Sequence, residues 1–149
     1  MINSSAWILS GCLSSYLGED MYLDKTAAME LVDGDMEIYM SLLETFIEAY
    51  EKDEAEIDRL KVLLGARAEA VLSDDVLREN VRKTAHKIKG SSYTVGANIL
   101  GDSAKNIEKF LVEPSNIKSP ANIELLDGFF AKFKENYANT LEEMKTVIA

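Results

Sequence analysis

The sequence predicts an all-α fold: an antiparallel four-helix bundle in up-down-up-down order, with a short additional helix on its N-terminal side. Three observations carry this. Only 2 Pro and 8 Gly punctuate 149 residues, too little turn material for a many-stranded β fold. The balance of 47% hydrophobic to 28% charged residues is that of a chain able to bury a core without disulfide or metal staples. Apolar residues also recur at three- and four-residue intervals in successive stretches, the period of helices with one buried face. The length fits one domain, read here as residues 23–149, with residues 1–22 as an N-terminal extension.

Each element has its own signal. A short helix is expected over Leu23–Val32, closed by a turn at Asp33-Gly34-Asp35 whose aspartates can cap. One long helix is expected next. Tyr39, Leu42, Leu43, Phe46, Ile47 and Tyr50 open its stripe, and Ile57, Leu60, Leu63 and Leu64 resume it after the charged run Glu51–Glu56. That run is read as solvated helix surface and Gly65 as the C-cap. Ala66–Ser73 reads as a connector, and Ser73 or Asp74 can cap the following helix, whose stripe is Leu77, Val81, Thr84/Ala85, Ile88, Ser92 and Val95. Gly96-Ala97-Asn98 marks a break before a stripe at Leu100, Ala104, Ile107, Phe110 and Leu111. Pro114 and Pro120 bracket a loop. The last helix carries Ile123, Leu126, Phe130, Phe133, Tyr137, Leu141, Met144 and Val147 in alternating threes and fours, as a bundle seam does. These apolar residues are core.

Charge and cysteine content exclude several functions. With 26 acidic and 16 basic residues the net charge is -10, which disfavours a grip on nucleic acid. The single Cys12 excludes an internal disulfide and a cysteine-built zinc site, and the single His86 excludes a His–His metal pair. No membrane-inserting segment is expected. Serines and Asn3 break the uncharged stretch 1–18, and Leu9-Ser10-Gly11-Cys12 resembles a lipoprotein cleavage box without the basic leader such a signal needs. A cytoplasmic location is expected.

One segment reverses the sign of the chain. Arg82-Lys83-Thr84-Ala85-His86-Lys87-Ile88-Lys89 holds four basic residues, no acidic one, and the only histidine. On a helix Arg82, His86, Lys89, Gly90 and Tyr93 share a face displaced from the apolar stripe, so His86 is expected to be exposed or half exposed. A mid-helix glycine costs roughly 1 kcal/mol against alanine. Gly90 therefore invites a reason: an open approach to the imidazole, or a close helix–helix contact. For His86 itself, surface chemistry competes with a plain surface or core histidine, and for the basic run a steering role competes with simple solvation.

Geometry adds a partner. If the helices on either side of residues 96–98 form an antiparallel hairpin, Glu108 lies level with His86 and can accept a hydrogen bond from Nδ1–H, leaving the lone pair of Nε2 free. An ordinary exposed glutamate, paired with Lys105, is the alternative.

Ala85-His86-Lys87-Ile88-Lys89-Gly90-Ser91-Ser92, followed by Gly96-Ala97, resembles the signature of the histidine-containing phosphotransfer (HPt) domain family. Gly34-Asp35-Met36-Glu37-Ile38-Tyr39 and Leu42-Leu43-Glu44-Thr45-Phe46 are similar to the opening of that domain's first bundle helix, and the resemblance covers residues 24–147. It implies a module whose histidine accepts a phosphoryl group from a receiver-domain aspartyl phosphate and passes it to another receiver. His86 matches the phosphoacceptor, Lys89 the lysine that stabilises phosphoryl charge, and Gly90 the small residue that leaves the histidine accessible. The family also carries a Gln or Glu at the spacing of Glu108. Lys105 is a weaker candidate for the phosphoryl site, and Arg82, Lys83, Lys87 and Tyr93 are candidates for partner contact. The chemistry is compatible: neutral imidazole is a nucleophile near neutral pH, its unperturbed pKa being about 6.5, and transfer from an acyl phosphate asks mainly for positioning and charge compensation.

No phosphate-binding glycine loop, kinase signature or receiver-type aspartate cluster is present in the sequence, so no cofactor is expected on this chain and Mg²⁺ is expected on the partner receiver. The expected partners are receiver domains of response regulators and a hybrid sensor kinase, met by a monomer. The competing readings are the phosphoacceptor domain of a chemotaxis-type kinase and a non-catalytic helical adaptor.

Overall fold

The structure, a computed structural model, describes residues 22–119 and 122–149. The N-terminal extension, the Leu9–Cys12 box and Pro120 lie outside the described residues, apart from Tyr22. Among the described residues every regular element is a helix: α1 (Lys25–Leu31), α2 (Met36–Glu51), α3 (Glu54–Leu64), α4 (Ala68–Ser73), α5 (Asp75–Thr94), α6 (Asn98–Val112), α7 (Pro114–Ile117) and α8 (Ile123–Ile148).

The caps explain most boundaries. Asp24, Asp35, Asp53 and Asp74 each accept hydrogen bonds from backbone N–H groups in the first turn of the helix they precede, satisfying donors that have no partner inside it. The Asp33-Gly34 turn between α1 and α2 uses left-handed backbone at both residues, φ 53° and 77°.

Cross-helix contacts fix the topology. Tyr39 Oη donates to the carbonyl of Val95 and Lys87 pairs with Glu56, so α2 and α3 run down as α5 runs up. His86 meets Glu108, and Tyr93 meets Asp102, which makes α5 and α6 antiparallel. Asn136 donates to Ser103, and Phe129 packs edge-on against Phe110, so α8 runs against α6. The result is the predicted up-down-up-down bundle, with α2 and α3 together as its first column and α1 as the additional helix.

The predicted stripes supply most of the core, with Leu42, Leu64, Leu77, Ile123, Leu141 and Val147 partly buried at its edge and Ile57 outside it. Leu43, Ile88, Leu100, Ile107, Leu126, Phe133 and Met144 are among its fully buried side chains. Each such residue withdrawn from water contributes about 1.5–3 kcal/mol before entropy is counted.

Three expectations need correction. The first long helix is two helices. Asp53 adopts extended backbone (φ -81°, ψ 109°) and caps α3, so the charged run holds a break rather than continuous helix surface. Within that run Glu56 is buried, 7% exposed, not solvated. The connector at 66–73 contains α4, which buries Ala68 and Val71 and whose Ala68 N–H donates to a distant carboxylate, Asp127 of α8 (2.8 Å). The segment after Pro114 likewise holds a short helix, α7, with the proline in its first turn, where no N–H is missed.

Candidate functional site

α5 presents its apolar stripe (Val81, Thr84, Ala85, Ile88, Ser92) to the core. That stripe fixes the rotation of the helix, and residues 82, 86, 89, 90 and 93 consequently fall along its outer side toward α6. The His86 side chain is 62% exposed. Its Nδ1 lies 2.5 Å from Oε2 of Glu108, and Lys89 Nζ donates to the other oxygen, Oε1, at 2.7 Å. The Glu108 side chain is only 13% exposed, and Arg82 Nη1 stands 3.9 Å from Oε2.

Burial alone would raise the Glu108 pKa, but the hydrogen bonds from Lys89 and His86 outweigh it and hold the carboxyl below its ordinary value. Glu108 is therefore a carboxylate near neutral pH and can only accept. Nδ1 of His86 must carry the proton, and in the neutral ring Nε2 keeps its lone pair.

The two alternatives for Gly90 separate here. A Cβ built at Gly90 meets no atom of a neighbouring element within 4 Å, so it is not a packing glycine. The close helix contact belongs to Gly101 of α6, where a Cβ would lie 2.5 Å from the Tyr93 ring. Gly90 leaves open space one turn beyond His86.

The other candidates divide. Arg82 is held by a bidentate pair to Glu79, with both N···O distances 2.8 Å, and Glu79 sits one turn earlier on the same helix. Tyr93 donates its hydroxyl to Asp102 at 2.6 Å, and burial together with that carboxylate pushes its pKa up to about 12. Lys87 turns away from the imidazole and pairs with Glu56 of α3 at 2.7 Å. Lys83 and Lys105 are exposed and form no ion pair among the described residues. The site proper thus brings together His86, Glu108 and Lys89, with Gly90 beside them and Arg82 at the margin.

Glu79 and Asp102 are absent from the sequence reading, and Glu56 stands there only as the end of a solvated charged run. The i, i+3 spacing could have given Glu79, and the hairpin register that found Glu108 could have given Asp102. The spacing of Glu56 to Leu60 and Leu63 marks it for the buried face of α3, but its pairing had no signal, because the cationic partner on α5 is thirty-one residues away.

No group of three or more His, Cys, Asp or Glu residues among the described residues could hold a metal ion, and no described helix is long and apolar enough to cross a membrane.

A helical bundle that presents one exposed imidazole, its Nδ1 held by a carboxylate, belongs to the class of histidine-bearing helical modules. The Hpt domain family model matches residues 41–147, and the chain belongs to the histidine-containing phosphotransfer family. Domains of this family interact with receiver domains in phosphorelays. No curated protein and no solved structure matches the chain significantly.

Proposed function

We propose that this chain is a phosphorelay intermediate: His86 takes a phosphoryl group from the aspartyl phosphate of one receiver domain and passes it to another. The observation that carries the reading is the His86 Nδ1–Glu108 contact, which leaves Nε2 as the nucleophile on an exposed face.

In the forward step the Nε2 lone pair attacks phosphorus. The N–P bond forms as the P–O bond to the receiver's aspartyl carboxylate breaks, and that carboxylate leaves with the electron pair. The ring becomes cationic while Nδ1 keeps its proton, and the Glu108 carboxylate compensates that charge. Lys89, one turn away, neutralises the arriving phosphoryl oxygens. For this it exchanges all or part of its hydrogen bond to Glu108 for one to the phosphoryl group. Gly90 lets the partner's active face approach without a side chain in the way. Lys83 raises the local potential of an otherwise acidic chain toward an acidic receiver site, with Arg82, paired to Glu79, and Tyr93 and Lys105 at the edge of the contact. Mg²⁺ is assigned to the receiver, which uses it to hold the phosphoryl group being transferred. The chain works as a monomer in the cytoplasm.

A second reading makes the domain the phosphoacceptor of a chemotaxis-type kinase. It uses the same atoms, and a glutamate rather than a glutamine at position 108 is compatible with it.

The test is phosphotransfer to wild type and to His86→Gln from a phosphorylated receiver with Mg²⁺, read by intact mass. An acid-labile phosphoryl gain is expected in wild type and none in the variant. No gain from several receivers, and none from a small phosphoramidate, would reject the relay reading in favour of a helical adaptor.

A further inference from the structure

A groove of about 570 Å³ lies between α5 and the column of α2 and α3, on the side of α5 that carries Lys83 and Lys87. Tyr50, Glu56 and Arg59 form one wall, and Lys83, Thr84 and Lys87 form the other. Among the described residues Glu56 is the one buried acidic side chain. A buried carboxylate is costly unless cations occupy it. Here both oxygens are occupied: Oε1 by Arg59 on the same helix, Oε2 by Lys87 Nζ at 2.7 Å. Glu56 shares the inward face of α3 with Leu60 and Leu63, while the neighbouring Glu54 and Asp58 stay exposed.

Lys87 directly follows the phosphoacceptor. Lys83 lies one turn before it on the same wall and forms no ion pair among the described residues. Of the two lysines lining the groove, one is therefore neutralised in place and one is left bare.

We infer that Glu56 is a positioning residue: it holds Lys87 against α3 and so sets the charge of the groove, leaving Lys83 as the cation this wall offers to an acidic receiver. The inference rests on the phosphorelay reading for its partner. A rim charge acts mainly on encounter and affinity, not on the chemical step, and its effect is screened by salt. The latch thus limits how strongly the domain binds any acidic surface and favours partners that engage Lys83.

The test is initial transfer rates from a phosphorylated receiver over a range of receiver concentrations, at low and high salt. Glu56→Gln keeps the shape and frees Lys87. It is expected to lower KM about three- to tenfold at low salt, to leave kcat within about twofold, and to lose the effect at high salt. Adding Lys87→Met to Glu56→Gln is expected to bring KM back to within about twofold of wild type. An unchanged KM in the single variant, or a gain that survives in the double variant, overturns the inference. If Glu56→Gln does not fold, the double variant decides alone: a KM raised well above wild type would make Lys87 an ordinary docking contact. Ammonium proton exchange at Lys87, followed by nitrogen-15 NMR, needs no receiver. It is expected to be slower than at Lys83 in wild type, and equal rates would reject the latch. If wild type accepts no phosphoryl group, the relay reading fails, and the exchange rates still show whether Glu56 holds Lys87.

Discussion

Glu108 is the residue on which the site's protonation state turns. It fixes the histidine tautomer, holds Lys89 within reach and is itself kept ionised by both. Glu108→Ala is expected to slow transfer by about tenfold or more, because the imidazole then samples the other tautomer and loses its counter-charge. Comparison of single-turnover rates with wild type checks this. The same carboxyl carries a stability signature. Its folded-state pKa lies below the ordinary 4.5, so its contribution is fully present above that value and is lost as pH falls through the lower, folded-state value. Acid unfolding of Glu108→Gln is expected to show a shallower loss of stability below pH 4.5 than wild type. The His86–Glu108 pair was legible from the sequence because a hairpin turning at Gly96–Asn98 places residues at equal distance from the turn side by side. Glu56 was not legible as one of a pair, because its lysine comes from another column of the bundle. Composition alone makes such a residue look solvated.

At the scale of elements, the two mid-helix glycines of the α5–α6 hairpin, Gly90 and Gly101, have opposite duties. Gly90 faces open space in mid-helix, and replacing it by alanine removes a helix-propensity penalty of roughly 1 kcal/mol. Gly90→Ala is therefore expected to melt higher than wild type yet to accept phosphate more slowly, a pairing that a purely structural glycine would not show. Gly101→Ala is expected to melt lower, by about 1 kcal/mol or more, since its Cβ displaces the Tyr93 ring and breaks that residue's hydrogen bond to Asp102. Thermal unfolding of the two variants side by side separates access from packing. Element boundaries were readable where the cap is local, as at Asp35 and Asp74, and unreadable where it is not. α4 has no side-chain cap of its own from Arg67 and borrows the Asp127 carboxylate from α8. The break between α2 and α3 was hidden for a different reason. Asp53 has capping chemistry, but it sits in a run of charges whose composition also suits an exposed helix face.

At the scale of the whole molecule, one end of the bundle is tied by backbone groups rather than by apolar packing alone. The N–H of Asp24 donates to the carbonyl of Gly96 at 2.7 Å, and the N–H groups of Tyr22 and Leu23 donate to the Glu143 carboxylate at 3.3 and 3.0 Å. Tyr39 reaches the adjacent carbonyl of Val95, and Leu23 is fully buried beneath these contacts. This knot joins the chain before α1 to α2, to the α5–α6 turn and to α8. Gly96 is its least replaceable member. Its φ is +79°, and a Cβ there would lie 2.5 Å from the carbonyl oxygen of Asp24, a backbone atom that cannot swing aside as the Tyr93 ring can. The left-handed backbone alone costs a non-glycine residue about 1–3 kcal/mol, and displacing Asp24 adds the loss of its hydrogen bond. Gly96→Ala is thus expected to destabilise the fold more than Gly101→Ala. Glu143→Ala, which strands two backbone donors at the same end, is expected to cost about 1–3 kcal/mol. Both sites lie at the far end of α5 from the Glu56–Lys87 groove. The folded fraction of either variant is expected to accept phosphate at the wild-type rate. Hydrogen exchange would locate the damage at residues 22–28 and 94–98, with the amides around His86 keeping their protection. Loss of protection around His86 as well would mean that the knot and the site open as one cooperative unit.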